Sequence, residues 1–221
     1  MFDTIIKLWD KYDYVFWQGL LGTLWLSLVS VAFATLLGAV IALVKLSKNR
    51  GANFIADIYL GIIRGTPILL QLYFFWLGLP KLLPFEISDT ASIVVALIVN
   101  ASAYVAEVIR AGIQAVDIGQ REAAKSLGLS NFNTMTRIIL PQAVKNILPA
   151  LGSQYIMMMK QTSLASVFFI NELMTSYKAV QSATFQAIPS LAIVGVVYLL
   201  LTTVLTKALS MFERRLMRSE R

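Results

Sequence analysis

Residues 15–44, VFWQGLLGTLWLSLVSVAFATLLGAVIALV, contain no charged side chain. A helix needs about 20 largely apolar residues to cross a bilayer, so this stretch is long enough for one membrane span. Of the 221 residues, 57% are hydrophobic and 14% are charged, whereas a soluble domain carries about 25% charged residues. The sequence therefore predicts an all-α membrane protein.

Four more apolar stretches bring the predicted number of spans to five. They run from about Ala52 to Pro80, Thr90 to Ala106, Asn146 to Ile170, and Ala179 to Thr206. The second span contains Arg64 and Pro67, and the fourth contains Pro149 and Lys160. Irregular backbone at membrane depth is tolerated where it lines a cavity or is covered by protein, and intramembrane charges are functional candidates. These two spans therefore indicate a translocation path, or else helices held together by a pair between Arg64 and Asp57 or Glu107.

The ends of the chain differ from its apolar middle. Phe2, Ile5, Ile6 and Trp9 recur at helical spacing, which predicts an external amphipathic segment over residues 1–18 that lies at the membrane surface. Acidic residues interrupt this segment, which is untypical of a secretory signal peptide. We expect a transmembrane permease domain over residues 19–212 and a basic cytosolic tail over residues 213–221.

The basic residues fix the predicted orientation. With five spans and a cytosolic C-terminus, four cations lie outside, at positions 7, 11, 81 and 178. Thirteen lie inside, at positions 45, 48, 50, 110, 121, 125, 137, 145, 207, 214, 215, 218 and 221. This bias follows the positive-inside rule and places the N-terminus outside. The net charge of +7 is therefore a matter of topology and does not indicate nucleic-acid binding.

The composition excludes several kinds of chemistry. Histidine and cysteine are absent, which removes imidazole catalysis, thiol nucleophiles and the common zinc sites. The sequence GxxxxGK[ST], which cradles nucleotide phosphates, does not occur in the 221 residues. We therefore expect no catalytic residues, no metal site and no cofactor bound to this chain.

The segment 117–141 is the most informative polar stretch. Asp117 is a predicted helix N-cap, with Gln120 as its capping-box partner. The following helix reaches Gly128, where a left-handed residue commonly ends a helix, and Ser130 can cap a second helix. The pattern predicts two helices and a sharp turn between them on the cytosolic face.

This segment resembles the EAA loop of ABC-importer permeases. The resemblance rests on Glu122-Ala123-Ala124, Gly128 and Ile138-x-Leu140-Pro141. Three further stretches resemble the polar amino acid uptake branch of that family. They are Arg64-Gly65-Thr66-Pro67 with Gln71-Leu72, Asn100-Ala101-Ser102-Ala103-Tyr104 with Glu107 and Arg110, and Lys160-Gln161-Thr162-Ser163-Leu164.

The resemblance implies a fold, partners and a mechanism. The fold would be that of a type I ABC importer permease in a bacterial cytoplasmic membrane. Two permease subunits, either two copies of this chain or this chain with a paralogue, would pair with two cytosolic ATPase subunits that use ATP and Mg²⁺. An external binding protein would deliver an amino acid. The EAA helix would be the coupling helix seated in the ATPase, with contacts from Arg121, Glu122, Ala123, Ala124, Lys125 and Gly128.

Polar residues in the predicted spans are candidate substrate contacts. Arg64 or Lys160 could bind a carboxylate by charge-assisted hydrogen bonds. Asn100 and Tyr104 are four residues apart and share a helix face. Uncharged polar groups are added by Gln71, Gln161, Thr162 and Ser166. The alternative is that these side chains only form hydrogen bonds between helices.

Gln161 bears on the choice of amino acid. Some relatives that transport basic amino acids carry an acidic residue where this chain has Gln161, and glutamine offers no fixed negative charge. The sequence therefore favours a neutral polar substrate such as glutamine or cystine, with glutamate or a basic amino acid as alternatives. An ion-driven secondary transporter is the rival class, but it predicts internal inverted repeats, and no clear repeat is visible.

Overall fold

The protein is helical in the part of the chain that the computed structural model describes, residues 1–218, with side chains as far as Leu216. The helices are α1 (Phe2–Leu46), α2 (Arg50–Gly65), α3 (Ile68–Leu82), α4 (Asp89–Gln114), α5 (Ile118–Ser126), α6 (Asn131–Thr134), α7 (Leu140–Gln161), α8 (Leu173–Thr184) and α9 (Ala187–Arg218). A π-helical turn (Met135–Ile139) joins α6 to α7, and a 3₁₀ segment (Thr162–Phe168) follows α7. The last three residues of the predicted basic tail, 219–221, lie outside the described residues.

The predicted all-α membrane class is confirmed. Helices α1, α4 and α9 are each long and apolar enough to cross a bilayer, and the bent pair α2–α3 makes a fourth if it is counted as one broken span. The fourth predicted span, from about Asn146 to Ile170, corresponds mainly to α7, which has 22 residues. That length suffices to cross the hydrocarbon core, but α7 contains Lys145 and Lys160 and is less apolar than the other four.

Both spans predicted to contain irregular backbone do so. Helices α2 and α3 meet at Thr66–Pro67 with a bend of 109°, as expected where a proline follows an extended residue. In the other span Pro149 lies inside α7 without ending it. The regular helix ends instead at Gln161, and the 3₁₀ segment then leads to Phe169, which is left-handed with a φ of 57°.

Two predicted span boundaries were wrong. The third span continues as α4 to Gln114, so Glu107 lies within a helix and not in a loop. The stretch predicted as one span from Ala179 is divided into α8 and α9 at Phe185, whose φ is 56°. The physical reason for the break is Pro189, which lacks an N–H group and is tolerated in the first turn of a helix but not in its interior.

Helix α1 packs closely against α4 because its inner face is made of small residues. The buried small residues of α1 are Gly19 and Thr23, which contact residues 172–176, and Ser27, Ser30, Ala34, Gly38 and Ala42, farther along the helix. A Cβ at Gly38 would lie 2.7 Å from Val105 Cγ1 and 2.9 Å from the backbone oxygen of Ser102. Small residues at such spacing let membrane helices approach closely. The contact holds α1 and α4 together as the centre of the bundle.

The N-terminal part of α1 packs on the other end of the chain. Its backbone is non-helical at Tyr12, and on either side of this point Leu8 and Phe16 form a buried cluster with α8 and α9, including Val180 and Ile193. The segment predicted as 1–18 is thus helical and continuous with the first span. Its position at the outer membrane surface stays a prediction.

Candidate functional site

The predicted coupling loop is a capped helix followed by a left-handed turn. Asp117 Oδ1 accepts a 2.7 Å hydrogen bond from the Gly119 N–H and so caps α5. At the other end Gly128 has a φ of 78°, and its N–H donates to the Lys125 carbonyl at 2.9 Å. The Leu129 N–H donates to the Ala124 carbonyl at 3.0 Å. These two bonds form a Schellman motif, which confirms the turn predicted at Gly128.

One capping detail was wrong. The Gln120 side chain does not reach back to Asp117, because its Oε1 accepts from Gln142 Nε2 on α7 at 3.4 Å. The second predicted cap is confirmed, since Ser130 Oγ accepts a 3.2 Å hydrogen bond from the Asn133 N–H. The loop is therefore fixed by two single caps and one glycine turn.

The residues of α5 divide into an outer and an inner face. Arg121, Glu122, Ala123 and Lys125 are exposed, while Ala124 is buried against the rest of the chain. The Ala124 methyl group packs inwards within this chain, and the contact of the α5 residues with an ATPase stays a prediction. Ala123 remains on the outer face beside Glu122. Arg121 and Lys125, each two residues from Ala123, lie on about the opposite side of the helix, and both line a pocket between α5, the end of α1 and α6.

A continuous helical rod joins this loop to the membrane. Helix α6, the π-helical turn and α7 follow one another without a break from Asn131 to Gln161. The Leu140 N–H donates to the Met135 carbonyl in the π pattern, immediately before Pro141. A π turn widens the helix, which accommodates a proline ring that otherwise clashes with the carbonyl four residues earlier. At about 1.5 Å per residue the rod is about 46 Å long.

Among the candidate substrate residues, Gln71 and Asn100 are brought into direct contact. Gln71 Nε2 donates to the Ile63 carbonyl at 2.8 Å and to Thr66 Oγ1 at 2.8 Å, across the α2–α3 break. Asn100 Nδ2 on α4 donates to Gln71 Oε1 at 2.9 Å. Both side chains are buried. These bonds satisfy the Ile63 carbonyl at the break and join α3 to α4, as the alternative of hydrogen bonding between helices expects. Asn100 Oδ1, however, has no partner among the described residues.

Arg64 lies in a charged group at the end of α2. Its Nη1 is 3.8 Å from Glu107 Oε1, and the other Glu107 oxygen is 2.6 Å from Arg110 Nη2. Asp57, the other acidic residue considered, pairs with Lys45 instead. The Arg64 side chain remains 47% exposed, so it is open to a ligand. Tyr104, three residues before Glu107 on α4, is half-buried.

The remaining candidates surround the end of α7. Lys160 is exposed. The side-chain oxygen Oε1 of Gln161 is buried and has no partner in the described chain. The Thr162 hydroxyl is fully buried and donates to the Met159 carbonyl at 2.8 Å. Ser166 is buried, and its carbonyl accepts a 2.8 Å bond from Lys178 Nζ. The structure thus gives Gln161 an unused acceptor and gives Thr162 a structural bond.

A buried polar group that the sequence did not predict centres on Glu172, the N-cap of α8. Its carboxylate is fully buried and accepts from the Met174 N–H at 2.8 Å, from the Thr175 N–H and hydroxyl, and from the Tyr198 hydroxyl at 3.2 Å. Burial raises the pKa of the Glu172 carboxyl, and these hydrogen bonds oppose that rise. Glu172 thus ties α8 to α9. The available sequence signal was a lone acid just before an apolar helical run.

Comparison with known proteins shows which protein family this chain matches. Residues 34–218 match the family model described as binding-protein-dependent transport system inner membrane component. The chain is 40% identical to the arginine transport system permease protein ArtQ of Bacillus subtilis, over 90% of this chain and 91% of that protein. It is 34% identical to the glutamine transport system permease protein GlnP of Escherichia coli, over 90% of this chain and 91% of that protein.

Solved structures agree with these matches. A chain described as an amino acid ABC transporter with histidines superposes with a TM-score of 0.89 at 43% identity, covering 93% of this chain and 96% of that one. A chain of the MetNI methionine ABC transporter superposes with a TM-score of 0.79 at 16% identity, covering 92% of this chain and 96% of that one. The second likeness concerns the fold alone.

Proposed function

Because this chain belongs to the family of binding-protein-dependent transport system inner membrane components, we propose that it forms the translocation path of an ATP-driven amino acid importer. Its family members are transport components and not enzymes. The observation that carries the proposal is the α5 loop, a capped and exposed helix at one end of a rigid rod whose other end lies among the candidate substrate residues.

The loop is suited to receive force from another subunit. Its outer face offers Ala123 for close approach and the Glu122 carboxylate for orientation, with Arg121 and Lys125 exposed on the other side of the helix, while the Gly128 turn sets the angle between α5 and the rod. A cytosolic ATPase pair that closes on ATP would displace α5, and the α6–α7 rod would carry that displacement to Gln161. Rigid-body movement of packed helices is a common way to switch between two states.

The proposed assembly contains two permease subunits and two ATPase subunits. The permease pair is two copies of this chain, with a paralogue as the alternative second member. ATP and Mg²⁺ bind the ATPase, and an external binding protein delivers the substrate. The protein crosses a bacterial cytoplasmic membrane with its N-terminus outside and its C-terminus in the cytosol. Support for this arrangement comes from the family match and from the positive-inside pattern.

We infer a neutral polar amino acid, such as glutamine or cystine, as the substrate. Arg64 would bind the α-carboxylate. The side-chain amide oxygens of Asn100 and Gln161, which have no partner in the described chain, would accept hydrogen bonds from an ammonium or amide group. Neither nearby acid is free to balance a cationic side chain. Glu107 is held between two arginines, and the Glu172 carboxylate is saturated with hydrogen bonds.

Basic amino acids are the second candidate substrate class, and glutamate is the third. The relative named for arginine and the structure described with histidines favour the basic class, whereas the relatives named for glutamine favour the neutral class. The charge balance around Arg64 supports the neutral class. Lys160 and Arg64 together would also accept the second carboxylate of glutamate.

The test is labelled amino acid uptake into proteoliposomes that hold this chain with its co-purifying ATPase, with ATP inside and the binding protein outside. We expect glutamine or cystine to accumulate in preference to arginine. A Gln161→Glu variant should raise arginine uptake relative to glutamine, whereas Gln186→Glu, the same change at an exposed position between α8 and α9, should not. Tighter uptake of arginine or lysine than of glutamine by the unaltered chain would refute the neutral assignment.

A further inference from the structure

A pocket of about 370 Å³ lies where the end of α1, the coupling helix α5 and the α6–π segment meet. Three cations line it: Lys48 from the α1–α2 turn, and Arg121 and Lys125, which are four residues apart on α5. Residues four apart share one face of a helix. Two distant parts of the chain therefore place positive charge around one cavity.

These cations have no acidic partner among the residues whose side chains the structure describes. Elsewhere Lys45 pairs with Asp57, and Arg110 pairs with Glu107. No ion pair of Lys48, Arg121 or Lys125 with a carboxylate occurs among residues 1–216. Like charges around a shared cavity repel one another, so an anion that enters the pocket would relieve that repulsion.

The pocket wall also holds a hydroxyl group without a partner. Thr134 lines the pocket and is 3% exposed. Its Oγ1 forms no hydrogen bond with any described residue, whereas the nearby Thr136 hydroxyl donates to the Phe132 carbonyl at 2.8 Å. A buried hydroxyl that bonds to nothing is unfavourable, and such exceptions are rare enough to call for a reason. An oxygen-rich ligand in the pocket would explain the hydroxyl, because a ligand oxygen would accept its hydrogen bond.

Apart from Asn131, the rest of the wall is apolar and begins at the end of the first helix. Leu46, Met135 and Ile139 line the pocket. Leu46 is the last helical residue of α1, so Lys48 follows where the chain leaves the hydrocarbon core. The pocket therefore combines cationic and apolar walls next to the predicted end of the first span, on the face that the charge pattern predicts to be cytosolic.

We propose that this pocket binds the phosphate of an anionic phospholipid of the cytosolic leaflet. Lys48, Arg121 and Lys125 pair with the phosphate, the Thr134 hydroxyl donates to one of its oxygens, and the glycerol and upper acyl chain lie against Leu46 and Met135. Basic pockets next to membrane helices on the cytoplasmic side are suited to such headgroups. The apolar wall favours a lipid over free phosphate. Bound lipid would hold α5 against the end of α1 and so influence the coupling loop.

The site is tested by native mass spectrometry of the purified full-length chain titrated with phosphatidylglycerol and, separately, with zwitterionic phosphatidylcholine. The cytosolic leaflet follows from the predicted orientation, but the readout requires neither orientation nor transport, so it fails independently of the importer proposal. We expect phosphatidylglycerol to bind more tightly. Lys48→Gln should weaken its binding about fivefold, as expected for one cation near an anionic surface, while Lys207→Gln near the end of α9 should leave it unchanged.

A Thr134→Val variant separates a ligand role from a structural one. Valine has nearly the shape of threonine, and the Thr134 hydroxyl has no partner in the described chain. We expect weaker phosphatidylglycerol binding with no loss of thermal stability in the lipid-free protein. Unchanged lipid binding in both Lys48→Gln and Thr134→Val would overturn the proposal. Displacement of the lipid by inorganic phosphate would assign the pocket to free phosphate, and displacement by the ATPase would assign it to the subunit interface, which also overturns it.

Discussion

Gly128→Ala isolates the conformational requirement of the turn after α5. The backbone at Gly128 has a φ of 78°, and a Cβ placed there would meet no atom within 4 Å. The substitution therefore introduces backbone strain without a clash. A left-handed conformation costs an L-residue roughly 1–2 kcal/mol, which corresponds to a factor of about 5 to 30 in an equilibrium. The closed turn should be less populated by that factor relative to open forms.

A series at this position should follow left-handed propensity and not side-chain size alone. Asparagine enters the left-handed region more readily than other non-glycine residues, so Gly128→Asn should be mildest. Gly128→Ala should be intermediate, and Gly128→Val should be most severe because its branched Cβ resists this conformation. Gly61→Ala is the matched control, since Gly61 lies within α2 and its added Cβ also meets no atom within 4 Å.

The assay is ATP hydrolysis stimulated by substrate-loaded binding protein, measured with uptake in the same proteoliposomes at equal amounts of reconstituted complex. We expect both activities to fall in the order glycine, asparagine, alanine, valine, while Gly61→Ala keeps full activity. The free energy of unfolding of the solubilised chain should fall by no more than the backbone strain of about 1–2 kcal/mol. Equal activity of Gly128→Ala and the unaltered chain would refute the reasoning, as would an equal loss in the Gly61→Ala control.

Three other substitutions test the packing of the bundle by thermal unfolding of the solubilised chain. Gly38→Ala should cost about 1–3 kcal/mol because its Cβ would overlap α4; equal stability would mean that α1 and α4 are farther apart. Glu172→Gln should cost about 1–3 kcal/mol, since an amide has one acceptor oxygen in place of two. Glu86→Gln, in an exposed loop, should be neutral, and equal effects of the two substitutions would contradict the role of Glu172 as a helix cap. Gln71→Leu should cost about 1 kcal/mol by leaving polar groups at the α2–α3 break unpaired, and a neutral result would show that this bond is not formed.

The features that the sequence predicted correctly are those governed by neighbouring residues. Gly128 was assigned a left-handed turn because glycine adopts that conformation at least cost. Asp117 and Ser130 were assigned as caps because short polar side chains bond the free N–H groups of the first turn. The break at Pro67 follows from the steric effect of proline on the residue before it.

The features that the sequence did not predict depend on distant contacts. Gln71 and Asn100 are 29 residues apart, and nothing local to either residue indicates their hydrogen bond. Phe185 adopts a left-handed backbone that glycine usually occupies, so the boundary between α8 and α9 carried a weak signal apart from Pro189. The burial of Ala124 likewise depends on how α5 packs against the bundle. The sequence of α5 alone does not show which side of this helix faces inwards.

The central claim is that uptake draws its energy from ATP hydrolysis transmitted through α5. The most direct measurement is initial glutamine uptake into proteoliposomes that contain the complex and impose proton and sodium gradients, with lumenal ATP either present, absent or replaced by a non-hydrolysable analogue. We predict uptake only with hydrolysable ATP, and its loss in Gly128→Pro under every condition. Uptake driven by a gradient without ATP, or undiminished in Gly128→Pro, would contradict the account and favour an ion-driven transporter.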